Sequence, residues 1–392
     1  MPRSLYIIDG HSQIFRAYYA PFRTLTSPTG EPTRATYVFC QMLLNLIRDR
    51  RPDYLVMVLD AERALAPRRA IYPEYKATRQ QAPEDLGPQE RRIISILETA
   101  NVPILQLPGW EADDVIATLV KHFAGAPAPA ITSQPSATQP PAPPAVAEPE
   151  LEVYLVSRDK DLDQLLRPAV AMYDPMKEEL ITAERLPDLK GWTPAQAVDA
   201  QALTGDSSDN VPGVPGIGPK TAAKLLQQYG SLENILAHVD ELKPAQRDAL
   251  RAHAAQLQVN RELVRLRDDV PVEFDLHAAE CSRFAWQRVR PIFEELGFRR
   301  MVDQLPRNPE ETRSAAAAPS VVAPVSKPAP HVAEPRTQPP AFEPPPQPKP
   351  RAGEQQSLFG AGRPSGGDAS TVTVPPTAAE DAGAGGPPRR AR

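Results

Sequence analysis

The tightest constraint on this chain is a set of short apolar runs that each close on an aspartate: "LYIIDG" (5–10), "YLVMVLD" (54–60) and "LEVYLVSRD" (151–159). Runs of this length, mostly apolar, are what a strand buried on both faces requires. Between them lie "SQIFRAYYA" (12–20), "ATYVFCQMLLNLIRDR" (35–50) and "PQERRIISILETAN" (88–101), whose apolar residues recur at helical spacing. "VPILQL" (102–107) predicts one more strand, and "GWEADDVIATL" (109–119) opens another helix. Strands alternating with helices predict an α/β fold, a mainly parallel sheet flanked by helices. Residues 61–82 are basic and Tyr-containing with no clear period. From about 176 to 305 the pattern turns helical, ending near "FEELGFRRMVDQL".

Composition divides the chain further. Of its 392 residues 48 are proline, concentrated in 125–150 and beyond about 306, where Pro, Ala, Ser and Gln cannot bury enough apolar surface to offset ordering entropy. The expected organisation is an α/β core over 1–175 with a flexible insert at 125–150, a helical part over 176–305, and a disordered tail over 306–392. A net charge of -5 argues against a generic polyanion binder. Cys40 and Cys281 stand alone, which suggests neither a disulfide framework nor a zinc knuckle. Asp9 and His11 fall too early for a secretory segment, and no run approaches the roughly 20 apolar residues that span a bilayer. These features predict a soluble cytoplasmic protein with no membrane partner.

The acids then fall into a pattern. Asp9, Asp60 and Asp159 end three strands, Asp161 lies two residues on, and Glu111, Asp113 and Asp114 follow the strand "PILQLPG". Acids in a first helical turn are ordinary caps. Ligands of open α/β sheets, however, bind outside the carboxyl ends of strands, so these side chains converge on one rim. Packed carboxylates repel and raise one another's pKa, and such a cluster calls for cations. Oxygen ligands without His or Cys favour Mg²⁺ or Mn²⁺ over zinc, and two such ions can clamp the attacking and leaving oxygens of a phosphodiester. A lone His is more often structural, and His11 is assigned no catalytic role.

"LTGDSSDNVPGVPGIGPKTAAKLL" (203–226) adds Asp206 and Asp209, three apart, and then a Gly-rich turn opening a helix. Gly213, Gly216 and Gly218 allow close backbone approach, and N–H groups at the helix start with Lys220 can hold a phosphate. An isolated GxG is an ordinary helix–turn–helix loop. With "GIGPKTA" intact and carboxylates just before it, the reading is a helix-hairpin-helix that binds duplex DNA.

At this point the chain resembles the 5′ nucleases, the family of the 5′→3′ exonuclease domain of bacterial DNA polymerase I and the flap endonucleases. The stretches that carry the resemblance are "IIDGHSQIFRAYYA", "VLD", "YPEYKATR", "GWEADDVIATL", "SRDKDLDQLL" and the hairpin segment, in the family's order over roughly the first 300 residues. The resemblance implies a PIN-like nuclease core with a helical arch and a duplex-binding hairpin, cutting DNA at 5′ flaps or free 5′ ends with two or more Mg²⁺ or Mn²⁺ ions. It carries the metal role onto Asp9, Asp60, Glu111, Asp113, Asp114, Asp159, Asp161, Asp206 and Asp209. It also implies that Lys76 and Arg79 steer the scissile phosphate, that Arg16 faces it, and that Arg68 and Tyr75 lie in the arch segment with the DNA. For Arg68 a solvated face is an equal reading, and Tyr18 and Tyr19 read as core or wall residues before base-stacking ones. A catalytically silent DNA-binding scaffold is the alternative, which loss of a metal carboxylate would favour; none is lost.

Within the tail, "QQSLF" (355–359) resembles the pentapeptide by which bacterial proteins dock on the replicative sliding clamp. The resemblance assigns polar contacts to Gln355 and the hydrophobic pocket to Leu358 and Phe359, although five-residue matches also arise by chance. After about residue 305 no polymerase pattern follows, so the polymerase partner is expected on another chain and the enzyme at the nucleoid, in replication and repair.

Overall fold

The computed structural model describes residues 3–124 and 151–306. The insert 125–150 and the tail with Gln355, Leu358 and Phe359 lie outside the described residues. The first half runs β1 (Arg3–Asp9), α1 (Gly10–Tyr18), α2 (Arg34–Arg50), β2 (Tyr54–Val58), α3 (Ala66–Ile71), α4 (Leu86–Thr99), β3 (Ile104–Leu105), α5 (Ala112–Ala124) and β4 (Leu151–Val156). Then come β5 (Val170–Asp174), β6 (Glu179–Ile181), α6 (Leu186–Lys190), α7 (Ala197–Thr204), α8 (Pro219–Tyr229), α9 (Leu232–Ala237), α10 (Pro244–Ala252), α11 (Ala254–Val264), α12 (Arg290–Glu295) and α13 (Arg299–Val302).

The sheet is six-stranded in the order β3-β2-β1-β4-β5-β6, parallel except for the antiparallel β5–β6 pair. Register pairs Asp9 with Val58 and Ile8 with Val156, so the carboxyl ends of β1, β2 and β4 finish side by side. Strand order reverses at β1, which makes that edge the crevice of an open α/β sheet. Alternation along the strands gives the sheet two apolar faces. Tyr6, Ile8, Leu55 and Met57 face α1, α2 and α4, whereas Leu5, Ile7, Val56, Val58, Val153 and Leu155 face α5. The helical part has its own core, built on Leu203, Ile217, Leu226, Ile235 and Leu257.

Three expectations need correction. A boundary at residue 175 would separate β5 from β6, which pair through Met172–Ile181 and Tyr173–Leu180. The segment after α11 is not part of the helical unit either. It returns to the α/β core, where Phe284, Trp286, Val289, Phe293 and Met301 pack with Phe39, Leu43 and Ile93. Nor do residues 61–85 form a helical arch: they hold the six-residue α3 and a series of turns. Pro67, Pro73 and Pro83 punctuate the segment, and Tyr75 and Lys76 bury themselves against the rim. Among the described residues no helix is long and apolar enough to cross a membrane.

Candidate metal centre and active-site cleft

A cleft of about 710 Å³ opens at the carboxyl edge of β1, β2 and β4. Asp9, Asp60, Asp113, Asp159, Asp161 and Asp209 line it, with Arg16, Lys76 and Arg79 on its walls. Asp9 serves two elements at once: one oxygen caps α1 through the Ser12 amide at 3.3 Å, and the other accepts the Ser157 hydroxyl at 2.7 Å. Asp60 accepts the Ala112 amide at 2.8 Å, so the start of α5 is capped from β2 rather than by its own acids. Asp159 accepts the Asp161 amide at 3.0 Å at the head of the 3₁₀ turn Lys160–Leu165. Across the cleft, carboxylate oxygens of Asp161, Asp206 and Asp209 lie within 4.8 Å of one another.

Burial and mutual repulsion act together on this group. Burial, then Asp159 and Asp60, push Asp9 up to about 6 against the Ser157 hydrogen bond. Burial, Asp159 and Asp209 push Asp161 up to about 8. Asp113 is raised well above the usual carboxylate range by burial and by Asp159, Asp9 and Asp161. Asp206 is held low in spite of its burial, by Ser208 and by Lys160 at 2.9 Å. An oxygen-only donor set this crowded fits a hard divalent cation, which would remove the repulsion that raises these groups.

Two of the nine expected ligands are differently engaged. Asp114 is clamped by Arg68 through paired contacts of 2.7 and 2.8 Å and also accepts the Arg267 amide, so it stands as a structural anchor behind the cleft. Glu111, 2% exposed, accepts Arg68 on one oxygen and Lys76 on the other. The expectation that Arg68 contacts DNA is corrected accordingly. Its side chain is 8% exposed and also donates to the Leu263 carbonyl at 2.8 Å, which ties α3 to α5 and α11. Tyr75 is likewise buried, its hydroxyl 3.2 Å from Asp209, and has no surface to offer a nucleic acid.

The remaining cations are better placed. Arg79, half exposed, holds Asp209 at 2.7 Å. Lys76 enters the cleft from a left-handed turn with φ 54° and lies 3.7 Å from Asp209. Arg16 is held at 2.8 Å by the buried Asp174, which also binds Arg158. Tyr19 stands exposed on the cleft wall, whereas Tyr18 donates to Asp85 at 2.6 Å. In the hairpin, a Cβ on Gly213 would lie 2.2 Å from the Thr204 carbonyl, so this glycine serves chain packing. Gly216, at φ 80°, and Gly218 face open space beside the exposed Lys220.

Reading the sequence missed Ser157, Lys160, Gln201, which donates to Asp161, and Asp174. They are polar residues on the rim that hold the acids or the arginines. "SRDKD" does set Ser157 and Lys160 beside the acids, but nothing in the spacing says which carboxylate each will meet.

Residues 4–134 match the family described as 5′-3′ exonuclease, N-terminal resolvase-like domain, and residues 192–287 match its C-terminal SAM fold. The chain is 36% identical over 303 residues to a 5′-3′ exonuclease of Aquifex aeolicus, covering 77% of this chain and 95% of that one. It is 39% identical over 282 residues to DNA polymerase I of Rhizobium leguminosarum, covering 70% of this chain but only 25% of the polymerase. Among solved structures, T5 5′-exonuclease with bound divalent zinc superposes with a TM-score of 0.50 at 21% identity, covering 67% of this chain and 89% of that one. That likeness is one of fold.

Proposed function

This chain belongs to the 5′-3′ exonuclease family and is a 5′ nuclease, and on that premise we propose that it hydrolyses phosphodiester bonds at 5′ flaps and free 5′ ends of DNA in dependence on divalent metal. The observation that carries the finer reading is the cleft itself, a carboxylate set facing Lys76, Arg79 and Arg16, with His11 at its rim engaged through both ring nitrogens by Asp60 and Glu90. Asp9, Asp60, Asp113, Asp159, Asp161, Asp206 and Asp209 would hold the ions, with Glu111 orienting Lys76. Bound ions supply the Lewis acidity and the activated water that such hydrolysis requires. Oxygen donors without His or Cys favour Mg²⁺ or Mn²⁺ in that role.

The chain's own cations do the rest. Lys76 and Arg79 are placed to stabilise charge developing on the scissile phosphate, in a cleft where burial strengthens the effect. Arg16, oriented by Asp174, presents a second donor to the same phosphate. Hydrolysis breaks the bond to the 3′ oxygen of the upstream nucleotide and leaves a 5′ phosphate. Gly216, Gly218 and Lys220, at the exposed start of α8, would hold a duplex phosphate without reading base sequence. The "QQSLF" segment would dock on the sliding clamp through Gln355, Leu358 and Phe359, next to a polymerase supplied by another chain, in primer removal and repair at the nucleoid.

The test is a labelled 5′-flap duplex incubated with Mg²⁺, Mn²⁺ or chelator, comparing wild type with Asp159→Asn. Cleavage by wild type only with metal, and its loss in the variant, are expected. Metal-independent cleavage, or none at all by wild type, would overturn the reading. For the tail, replacing Leu358 and Phe359 by Ala should abolish clamp binding and leave flap cleavage by the isolated enzyme unchanged.

A further inference from the structure

His11 occupies a place that neither the cleft's acids nor its cations explain. It follows Asp9 and Gly10 in the first turn of α1, and its ring reaches two other elements. Nδ1 lies 3.1 Å from the backbone nitrogen of Asp60 and 3.4 Å from Asp60 Oδ2, and Nε2 lies 3.0 Å from Glu90 Oε1 on α4. Gly10 makes this reach possible. A Cβ there would lie 2.5 Å from Leu59 and 2.9 Å from the Val58 carbonyl, so only glycine lets the start of α1 lie against the end of β2.

The direction of the bond to Asp60 follows from the donor. A backbone N–H can only donate, so in its contact with the Asp60 amide Nδ1 is the acceptor. Nε2, on the far side of the ring, is the atom that meets Glu90. Glu90 thereby holds the ring plane, as a carboxylate behind a histidine commonly does.

Asp60 needs such support. The β2–β3 ladder ends when Leu59 donates to the Leu105 carbonyl at 2.9 Å. One residue later the sheet holds nothing. Among the described residues the Asp60 amide has His11 as its partner, and its carbonyl accepts from Gln106 at 2.7 Å. Asp60 Oδ1 is occupied by the Ala112 amide, and Oδ2 lies beside the ring at 3.4 Å from Nδ1. The histidine thus grips the main chain of Asp60 directly beside its carboxylate.

We propose that the Glu90–His11 pair is a positioning device for Asp60, fixing one metal-binding carboxylate at the point where the sheet's own hydrogen bonding has run out. This rests on the reading of Asp60 as a ligand. Partners behind a metal ligand commonly govern affinity by about 10- to 100-fold. His11 is therefore a positioning residue, and its loss weakens metal binding without removing a ligand.

Mn²⁺ binding to the full-length protein, followed by calorimetry without DNA, is the direct test, with flap cleavage against Mg²⁺ concentration beside it. His11→Ala should raise half-saturating Mn²⁺ about tenfold, with a melting temperature close to wild type without metal. His11→Asn, whose Oδ1 can stand where Nδ1 stood, should recover much of the loss; His11→Gln, which reaches only towards Glu90, should not. Glu90→Ala should weaken binding less than His11→Ala and add nothing in its background, since the pair acts as a unit. Half-saturation unchanged in His11→Ala, or Asn no better than Ala, would overturn the positioning role. Asp60→Asn separates the two levels: if it binds and cleaves as wild type does, the ligand reading of Asp60 falls and the proposal with it. If it fails while His11→Ala matches wild type, only the positioning role falls.

Discussion

Glu111 accepts Arg68 on one oxygen and Lys76 on the other, so one buried carboxylate joins a structural cation to a cleft-facing one. In the sequence these two cations belong to the same basic run, and nothing in its spacing tells them apart. Burial does, and burial is a property of the assembled fold. Arg68 closes on Asp114 and on the carbonyls of Leu263 and Arg265, so removing it leaves the buried Asp114 without its ion pair and Glu111 with Lys76 alone. Arg68→Met should cost about 3–5 kcal/mol in urea unfolding, and Arg68→Lys should recover little, because a lysine cannot make the paired contact. A second residue-scale expectation concerns acid. Asp174 is 1% exposed, and although burial opposes its ionisation, the bonds from Arg16 and Arg158 hold its carboxyl below the ordinary 3.8. A carboxyl whose folded pKa lies below its unfolded value contributes stability above about pH 4 and loses it as pH falls through the folded value. The stability gap between wild type and Asp174→Asn should therefore be present at pH 7 and shrink below about pH 4; a gap that is flat with pH would deny the ion pairs that role.

At the scale of elements, the hairpin between α7 and α8 separates two uses of glycine that look alike in "GVPGIGPK". Gly213 sits where Thr204 and Gly205 leave no room for a methyl group, whereas Gly218 and Lys220 face open solvent. Gly213→Ala should lower the melting temperature and disturb Asp206 and Asp209, whose loop it closes. Lys220→Ala should leave stability unchanged and weaken duplex binding with a salt slope smaller by about 1. Equal melting temperatures for Gly213→Ala and wild type would refute the packing role. The same contrast measures what the sequence could disclose. Strands β1, β2 and β4 were legible because double-sided burial leaves an unbroken apolar run, and their terminal acids because strand ends are visible as composition breaks. β3 was legible too, as the run "VPILQL", although only Ile104–Leu105 pairs; β5 in "VAMYD" and β6 in "EELI" were not, and an edge strand such as β6 needs no apolar run. The return of Phe284, Trp286 and Phe293 to the sheet face was not legible. Periodicity says which side of a helix is apolar and not which core receives it.

On the scale of the whole molecule, the carboxylates that crowd the cleft come from the ends of β1, β2 and β4, the first turn of α5, and the loop before the hairpin. They join the α/β core to the helical part across a line of like charge. Asp9, Asp113 and Asp161 are all raised by burial and by their neighbours, so without cations the folded chain works against this repulsion. A divalent ion bound there would tie the two parts together and would bind the folded state alone. At a hundredfold excess over its Kd such a ligand stabilises by about 2.7 kcal/mol, which for a chain of this size is a rise in melting temperature of about 3–5 °C. Mn²⁺ should raise the transition of the full-length protein by that order and chelator should return it. The reverse should hold for Asp161→Asn, which removes a raised, repelled carboxylate. That variant should be more stable than wild type without metal and respond less to it, because a site built to bind cations is strained in their absence. A wild-type transition indifferent to Mn²⁺, measured by calorimetric scanning, would mean that the repulsion is relieved within the protein and that the cleft does not depend on cations for its form.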